Sequence, residues 1–204
     1  ANYLGLNCEL TKAIAVAHDI GHSPFGHQGE KILSQIAERE YGEKFWHGKN
    51  GLHYVDNMEL LEDKNGLRKN LDLTYAVRDA ILGHCGEPNA IGQKTRNEKI
   101  NLQEEFTSSN KFLPYTWEGC VVKLADNISY LGRDLEDAKE MNLLTDKDLK
   151  TINNAIEAIN VNNSSIIGFL INDLCKNSTP EDGLKFGVWR YVKQVRAGEK
   201  TPSG

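Results

Sequence analysis

Apolar residues recur at steps of three and four positions along nearly the whole chain, and alternating strand patterns are scarce. Since such spacing gathers apolar side chains on one face of a helix, it predicts an all-α fold built from amphipathic helices. The predicted helices end where glycine, proline or polar runs break the pattern. They span residues 6–21, 25–38, 50–61, 73–82, 121–141, 146–159 and 165–175, with a weaker helix over 183–195.

Several local features refine this prediction. The helix over residues 25–38 is expected to bury an apolar side consisting of Ile32, Leu33 and Ile36. The polar residues 63–66, DKNG, predict a turn between the third and fourth helices.

Two stretches lack a clear helical pattern. From residue 87 to 114 the composition becomes polar with little periodicity, which predicts a long loop or an insertion of the kind that often borders a site. Residues 179–204 are expected to form a C-terminal helix followed by a frayed tail.

Composition and charge limit the class of protein. The 204 residues carry 24 Lys+Arg and 29 Asp+Glu, a formal charge of −5, and 39% are apolar, which is typical of one globular domain rather than a disordered chain or a fibre. The longest strongly apolar stretch, residues 13–17, is far shorter than the roughly 20 residues of a membrane span. An acidic chain is also unsuited to coating nucleic acid, so neither a membrane nor a nucleic acid is an expected partner.

The four cysteines, Cys8, Cys85, Cys120 and Cys175, form no Cys-x-x-Cys pair. The sequence therefore indicates neither a zinc knuckle nor a dithiol redox site, and it favours buried free thiols in a reducing compartment. No secretory signal pattern opens the chain, so we expect a cytoplasmic protein.

Histidine is unevenly distributed, because five of the six fall between residues 18 and 53. An apolar helix leads into His18 and Asp19 and then into a glycine-containing turn, so the imidazole and the carboxylate are expected to emerge together at a helix end. Such a pair suits a divalent transition metal, or magnesium or manganese with water in the remaining positions. For these two residues alone, a hydrogen-bonded helix terminus without a metal has equal weight.

The surrounding run favours a site. Residues 18–30, HDIGHSPFGHQGE, hold three imidazoles and two carboxylates among small residues, and burying so many without partners is costly. If the helix continues for one turn, His22 lies on the same face, and Glu30 on the next helix could orient it as an acid or base. His27 is either a ligand or a packed residue at the start of the second helix, and His53 is interpreted as structural or exposed.

A second candidate element is the fifth predicted helix, where Asp126 interrupts an apolar face. A carboxylate in such a place must find a cation, a donor or solvent. Asp126 is therefore either a metal ligand or the partner of Lys123 or Arg133 in a surface ion pair. Tyr130 and Asp134 follow at four-residue steps, so the three residues could form the floor for an elongated polar ligand.

Together these motifs resemble the HD-domain metal phosphohydrolases, and more closely the dGTP triphosphohydrolase family, which includes the sterile-alpha-motif HD dNTPase of animals. His18, Asp19 and Asp126 match three elements of the superfamily signature. The run at residues 21–27, GHSPFGH, resembles the triphosphohydrolase form specifically. Further matching segments are residues 45–47, FWH, residues 70–84, NLDLTYAVRDAILGH, Glu118, residues 134–138, DLEDA, and residues 171–174, INDL.

The resemblance implies an HD-domain helical bundle over residues 1–178, as the central portion of a larger domain whose first metal-binding histidine lies on a helix before Ala1. It also implies a divalent metal ion as cofactor, Mg, Mn or another transition metal such as Fe, Co, Ni or Zn. The residues with implied roles are the metal ligands His18, Asp19 and Asp126, the catalytic residues His22, Glu30 and His47, and the deoxyribose contacts Tyr130 and Asp134.

The activity that the resemblance implies is hydrolysis of a deoxynucleoside triphosphate to the deoxynucleoside and inorganic triphosphate, by a homo-oligomer. Two alternatives stay open. One is another HD-class nucleotide phosphatase or phosphodiesterase, and the other is a degenerate regulatory domain that binds a nucleotide without hydrolysing it.

Overall fold

Helices dominate the computed structural model, which describes residues 1–86, 92–155 and 162–187. Within these ranges the helices are α1 Cys8–Ala17, α2 Gly26–Tyr41, α3 His47–His53, α4 Tyr75–Gly83, α5 Trp117–Glu140, α6 Asp146–Ala155 and α7 Asn163–Asn177. The strands β1 Leu60–Glu62 and β2 Arg68–Asn70 pair in antiparallel fashion. The predicted helical fold is confirmed, although the hairpin makes the described part not purely α.

The chain divides into two compact units. The first comprises Ala1–Glu87 and Lys94–Lys123, and the second comprises Pro88–Gln93 and Leu124–Gly204. Helix α5 begins in the first unit and continues in the second.

The core of the first unit forms where α4 packs against both α1 and α3. Ile14 of α1, Leu52 of α3 and Ile81 of α4 are at most 1% exposed. Helix α4 buries most of its circumference, which explains why its sequence carries apolar residues on more than one face.

The polar stretch after α4 is anchored to this core. Its described residues up to Pro114 contain no helix, as predicted, yet Phe106 is buried and stacks on Trp46 with ring centroids 6.0 Å apart. Arg96 donates hydrogen bonds to the buried Asp79 and, over 2.7 Å, to the hydroxyl of Tyr75. The stretch is thus a loop tied to α4 by apolar packing and by a buried ion pair.

A buried lysine fixes the end of α4. Lys123, 2% exposed, donates to the carbonyls of Gly83 and Cys85 and to Asn110 Oδ1, at distances of 2.5–3.2 Å. These acceptors match the three ammonium protons, and the Gly83 carbonyl is one that the C-terminus of α4 leaves without an intrahelical partner. The cation therefore stabilises the position of residues 83–85.

The prediction for the second helix is right in position but wrong in burial. Helix α2 contains no buried residue, and Ile32, Leu33 and Ile36 are 57%, 36% and 42% exposed. The spacing correctly identified an amphipathic helix, but no element of the described chain covers its apolar side.

Two further boundaries differ from the predictions. The third helix ends earlier than expected, because a π-helical turn follows α3 and Leu60 and Leu61 enter the hairpin, with residues 63–66 as its turn. In the predicted C-terminal helix, the described residues form an isolated bridge between Thr179 and Gly183 instead. Residues 156–161 and 188–204, which include parts of two predicted helices, lie outside the described chain.

The second unit has its own apolar cluster, in which Ile128 of α5 packs with Ile166 and Leu170 of α7. Helix α7 starts with a capping box, in which Asn162 accepts a hydrogen bond from the Ser165 amide and the Ser165 side chain accepts one from the Asn162 amide. Within the described ranges, no helix combines the length and the apolar character needed to cross a membrane.

Candidate metal and phosphate site

The end of α1 presents His18 and Asp19 side by side. His18 is the C-cap of the helix, and its Nδ1 donates to the carbonyl of Ala15 over 2.9 Å. Because that proton is committed, the remaining ring nitrogen, Nε2, is the one available to a metal, and it lies 3.6 Å from Asp19 Oδ2.

A close backbone approach holds this corner against α3. The Gly21 carbonyl accepts a hydrogen bond from Asn50 Nδ2 over 2.9 Å. A β-carbon at Gly21 would collide with the backbone of Gly51 and His47. Glycine is therefore required here by the close packing between the two segments.

The start of α3 brings His47 to Glu30. Glu30 Oε2 accepts hydrogen bonds from His47 Nδ1 over 2.5 Å and from the His47 amide over 3.2 Å. The sequence-based interpretation paired Glu30 with His22, and this pairing is wrong in the structure. His22 Nδ1 donates instead to the adjacent Ser23 carbonyl over 3.0 Å.

His22 and His27 nevertheless lie beside the His47–Glu30 pair. The ring centroid of His22 is 5.1 Å from that of His47 and 5.8 Å from that of His27. Both residues are exposed, whereas His47 is buried. The structure therefore brings together His18, Asp19, His22, Glu30 and His47, with His27 at the edge.

Sequence reasoning missed two residues of this cluster, His84 and Cys85 at the end of α4. His84 Nε2 is 3.4 Å from Asp19 Oδ1, and its ring meets that of His18 edge-on with centroids 5.0 Å apart. Cys85 Sγ is 3.0 Å from His47 Nε2. The available signal was that His84 is the one histidine outside residues 18–53 and directly follows the apolar run of α4.

His53, by contrast, lies apart from these contacts. It is exposed, and its Nδ1 accepts a hydrogen bond from Asn57 over 3.1 Å. Its interpretation as a surface residue is confirmed.

The electrostatics of the cluster keep Asp19 ionised and His47 neutral. The hydrogen bond with His84, helped by the nearby His18, lowers the pKa of Asp19 to about 2, although burial opposes the shift. Burial lowers the pKa of His47, against the opposing effect of its hydrogen bond with Glu30.

These protonation states fit a divalent metal. A metal ligand must be a deprotonated carboxylate or a neutral imidazole, and the low pKa of Asp19 provides the first of these forms. Metal-binding histidines typically donate their second ring N–H to a carbonyl or a carboxylate. The Ala15 carbonyl accepts such a bond from His18 Nδ1 and so fixes the orientation and the tautomer of the ring.

The other predicted site residues, Asp126, Tyr130 and Asp134, lie on α5 in the second unit. Tyr130 and Asp134 are exposed, and Asp126 is partly buried. Their predicted roles in binding the metal and the sugar stay predictions.

A groove of mixed charge lies beside the cluster. It is lined by His27, Lys31 and Lys44, by the carboxylates of Glu30 and Glu38, and by Ser34, Gln35 and Phe45. Lys44 pairs with Glu38 over 3.7 Å, so the two carboxylates offset the charge of the two ammonium groups.

Comparison with known proteins agrees with this geometry. Residues 1–131 match the family described as HD domain. The chain is similar to deoxyguanosinetriphosphate triphosphohydrolase-like proteins of several bacteria. It is 31% identical to that of Desulfatibacillum aliphaticivorans over 90% of this chain and 45% of the relative, and 37% identical to that of Azoarcus sp. (strain BH72) over 74% and 36%. Identity to the Caldanaerobacter subterraneus subsp. tengcongensis protein is 31% over 97% and 48%. The chain thus spans less than half the length of each of these relatives.

Proposed function

Because this chain belongs to the HD-domain family, we propose that its histidine cluster serves a metal-dependent phosphohydrolase acting on deoxynucleoside triphosphates. The observation that carries the proposal is the placement of His18 and Asp19 near the His47–Glu30 pair, with His84 in contact with both pairs. The similar proteins named deoxyguanosinetriphosphate triphosphohydrolase-like support the nucleotide substrate.

In the proposed reaction, water attacks the α-phosphorus, the bond to the 5′-oxygen breaks, and the products are the deoxynucleoside and inorganic triphosphate. His18 and Asp19, with Asp126 as the proposed third ligand, would hold a divalent ion. When bound, such an ion polarises the phosphate and offsets the charge that develops in the transition state.

The histidines of the cluster have distinct proposed roles. His22, exposed at the mouth of the cluster, donates a proton to the leaving 5′-oxygen. Glu30 acts through His47, since its carboxylate fixes the proton on Nδ1 and holds the ring within the cluster. Lys31 in the adjoining groove is proposed to contact the triphosphate tail. Tyr130 and Asp134 are proposed to contact the deoxyribose.

Product analysis of the full-length gene product tests the proposal. With Mn²⁺ or Mg²⁺ and each of the four deoxynucleoside triphosphates, we expect release of intact triphosphate. Release of monophosphate, or cleavage of diesters only, would show another HD-class phosphatase or phosphodiesterase. Nucleotide binding without any turnover would show a regulatory domain.

A pair of variants tests the role of His22. His22→Ala should lower kcat by about 10²–10⁴-fold while the dissociation constant for the nucleotide changes little, because a proton donor acts in the transition state. His53→Ala is the matched control, since that histidine is exposed and contacts Asn57 away from the cluster. Lost binding with an unchanged rate constant in His22→Ala would contradict the role.

A further inference from the structure

Cys85 lies with His47 and His84 in a compact group of potential metal ligands. The proposed reaction gives this group as a whole no role. Its Sγ lies 3.0 Å from His47 Nε2 and 3.5 Å from His84 Nε2, and the two ring nitrogens are 3.3 Å apart. All three side chains are buried, with exposures of 8% or less. They belong to the first unit.

The hydrogen bonds around these atoms turn both Nε2 atoms toward one another. His47 Nδ1 is committed to Glu30, and His84 Nδ1 donates to the Ile81 carbonyl over 2.8 Å. Nε2 of a neutral His47 is then an acceptor, whereas His84 Nε2 also faces Asp19 Oδ1 and carries a proton when it donates to that carboxylate. The position between the two rings and the thiol therefore holds a proton or, once that proton is released, a metal ion.

From this arrangement we infer a binding site for a thiophilic divalent ion of the Zn²⁺ type, formed by His47 Nε2, His84 Nε2 and Cys85 Sγ. Bond lengths of about 2.0–2.1 Å to nitrogen and 2.3 Å to sulfur in a tetrahedral site imply ligand separations of roughly 3.3 Å between nitrogens and 3.5 Å between nitrogen and sulfur. Two of the three separations in the structure have these values, and the third, 3.0 Å, needs a small outward shift of the thiol.

The donor set selects the type of ion. A thiolate with two imidazoles favours zinc and similar ions over magnesium or calcium, which prefer oxygen ligands. Burial raises the pKa of Cys85 to about 12. The thiol therefore keeps its proton at neutral pH until a bound ion displaces it, and binding releases that proton.

Outer contacts support the two imidazoles as ligands. The Glu30 carboxylate behind His47 and the Ile81 carbonyl behind His84 are the partners that typically orient zinc-binding histidines. Asp19 Oδ1, 3.4 Å from His84 Nε2, is close enough to supply a fourth ligand through a small movement, and water is the other candidate.

Occupancy of this site would remove His47 from the proposed phosphate chemistry. The ion of the proposed function is held by His18 and Asp19, neither of which offers a sulfur ligand. The ion at His47, His84 and Cys85 is therefore a second, separate ion. The inference depends on the geometry of three residues and not on the identity of any substrate.

Cobalt spectroscopy tests the site on the full-length gene product after removal of bound metal. Titration with Co²⁺ should produce a thiolate-to-cobalt charge-transfer band in the near ultraviolet, and Zn²⁺ should abolish it by displacement. Cys85→Ser should eliminate the band. Cys120→Ser is the matched control, since Cys120 is also buried but donates to the Lys94 carbonyl over 3.5 Å, and this variant should retain the band.

Zinc K-edge absorption of the unmodified protein provides a test that does not depend on a variant folding. It should show one sulfur at about 2.3 Å with nitrogen or oxygen as the remaining ligands. Nitrogen and oxygen alone, or a cobalt band that survives in folded Cys85→Ser, would overturn the inference. Neither readout requires hydrolytic activity, so failure of the proposed function leaves it unaffected.

Discussion

At the scale of single residues, hydrogen-bond commitments decide which atom of each histidine can do chemistry. His18, His47 and His84 each hold a proton on Nδ1 against a carbonyl or a carboxylate. Their Nε2 atoms consequently face the other side chains of the cluster, and each is the ring nitrogen that can coordinate a metal. This common tautomer could not be read from the sequence, because the acceptors come from the helix backbone and from a residue 17 positions away.

Glu30 provides the first residue-scale prediction. Its negative charge raises the pKa of His47 against the effect of burial, so Glu30→Gln should lower the pKa of His47 further below its ordinary value. The measurement is an NMR titration of the imidazole signals.

The matched control is Glu38→Gln on the same helix, whose carboxylate pairs with Lys44 over 3.7 Å and should leave the His47 titration unchanged. In the hydrolytic assay Glu30→Gln should also lose about 10–100-fold in activity. An unchanged or raised His47 pKa would contradict the observed Glu30–His47 pairing.

At the scale of elements, the periodicity of apolar residues identifies helices well but cannot tell which apolar face is covered. Ile14 of α1 and Ile32 of α2 occupy equivalent-looking amphipathic patterns, yet one is 0% and the other 57% exposed. The difference depends on tertiary packing, because α4 lies against α1, whereas α2 buries none of its residues.

Substituting these two isoleucines tests that difference. Ile14→Ala should lower the free energy of unfolding by about 2–5 kcal/mol, because it removes buried methyl groups and leaves a cavity. Ile32→Ala should change it by no more than about 0.5 kcal/mol. Urea unfolding of this chain measures both, and a comparable loss in Ile32→Ala would show that the face of α2 is covered.

Gly21 shows a second limit of sequence reasoning at this scale. The sequence predicts Gly21 as a helix breaker, whereas the structure explains it by the close contact with α3. Gly21→Ala should destabilise the chain by about 1–3 kcal/mol, because the backbone of α3 must move.

The control for Gly21 is Gly168→Ala in α7, where a β-carbon meets no atom within 4 Å. That substitution should raise stability by about 0.5–1 kcal/mol through the helix propensity of alanine. Thermal unfolding distinguishes the two, and equal effects at both positions would contradict the proposed close approach.

At the scale of the whole molecule, the sequence predicts the site residues that lie close together along the chain. It does not predict those that only tertiary packing brings to the site. His18, Asp19, His22, Glu30 and His47 were identified from 30 residues of sequence and lie together in the first unit. His84 and Cys85 were missed because only the packing of α4 on α1 and α3 carries them there. The acidic total charge of −5 is compatible with an anionic ligand once a divalent ion and the histidines of the cluster supply positive charge locally.

A metal ion bound by His18 and Asp19 should stabilise the whole folded chain, because the unfolded chain cannot hold the ligand atoms together. At a metal concentration 100 times the dissociation constant, this linkage contributes about 2.7 kcal/mol and raises the melting temperature by several degrees. Thermal unfolding with and without Mn²⁺ measures the shift. His18→Ala should abolish it, and His53→Ala, which alters an exposed histidine outside the cluster, should preserve it. An equal shift in His18→Ala would place the stabilising ion elsewhere and remove the support for this pair as metal ligands.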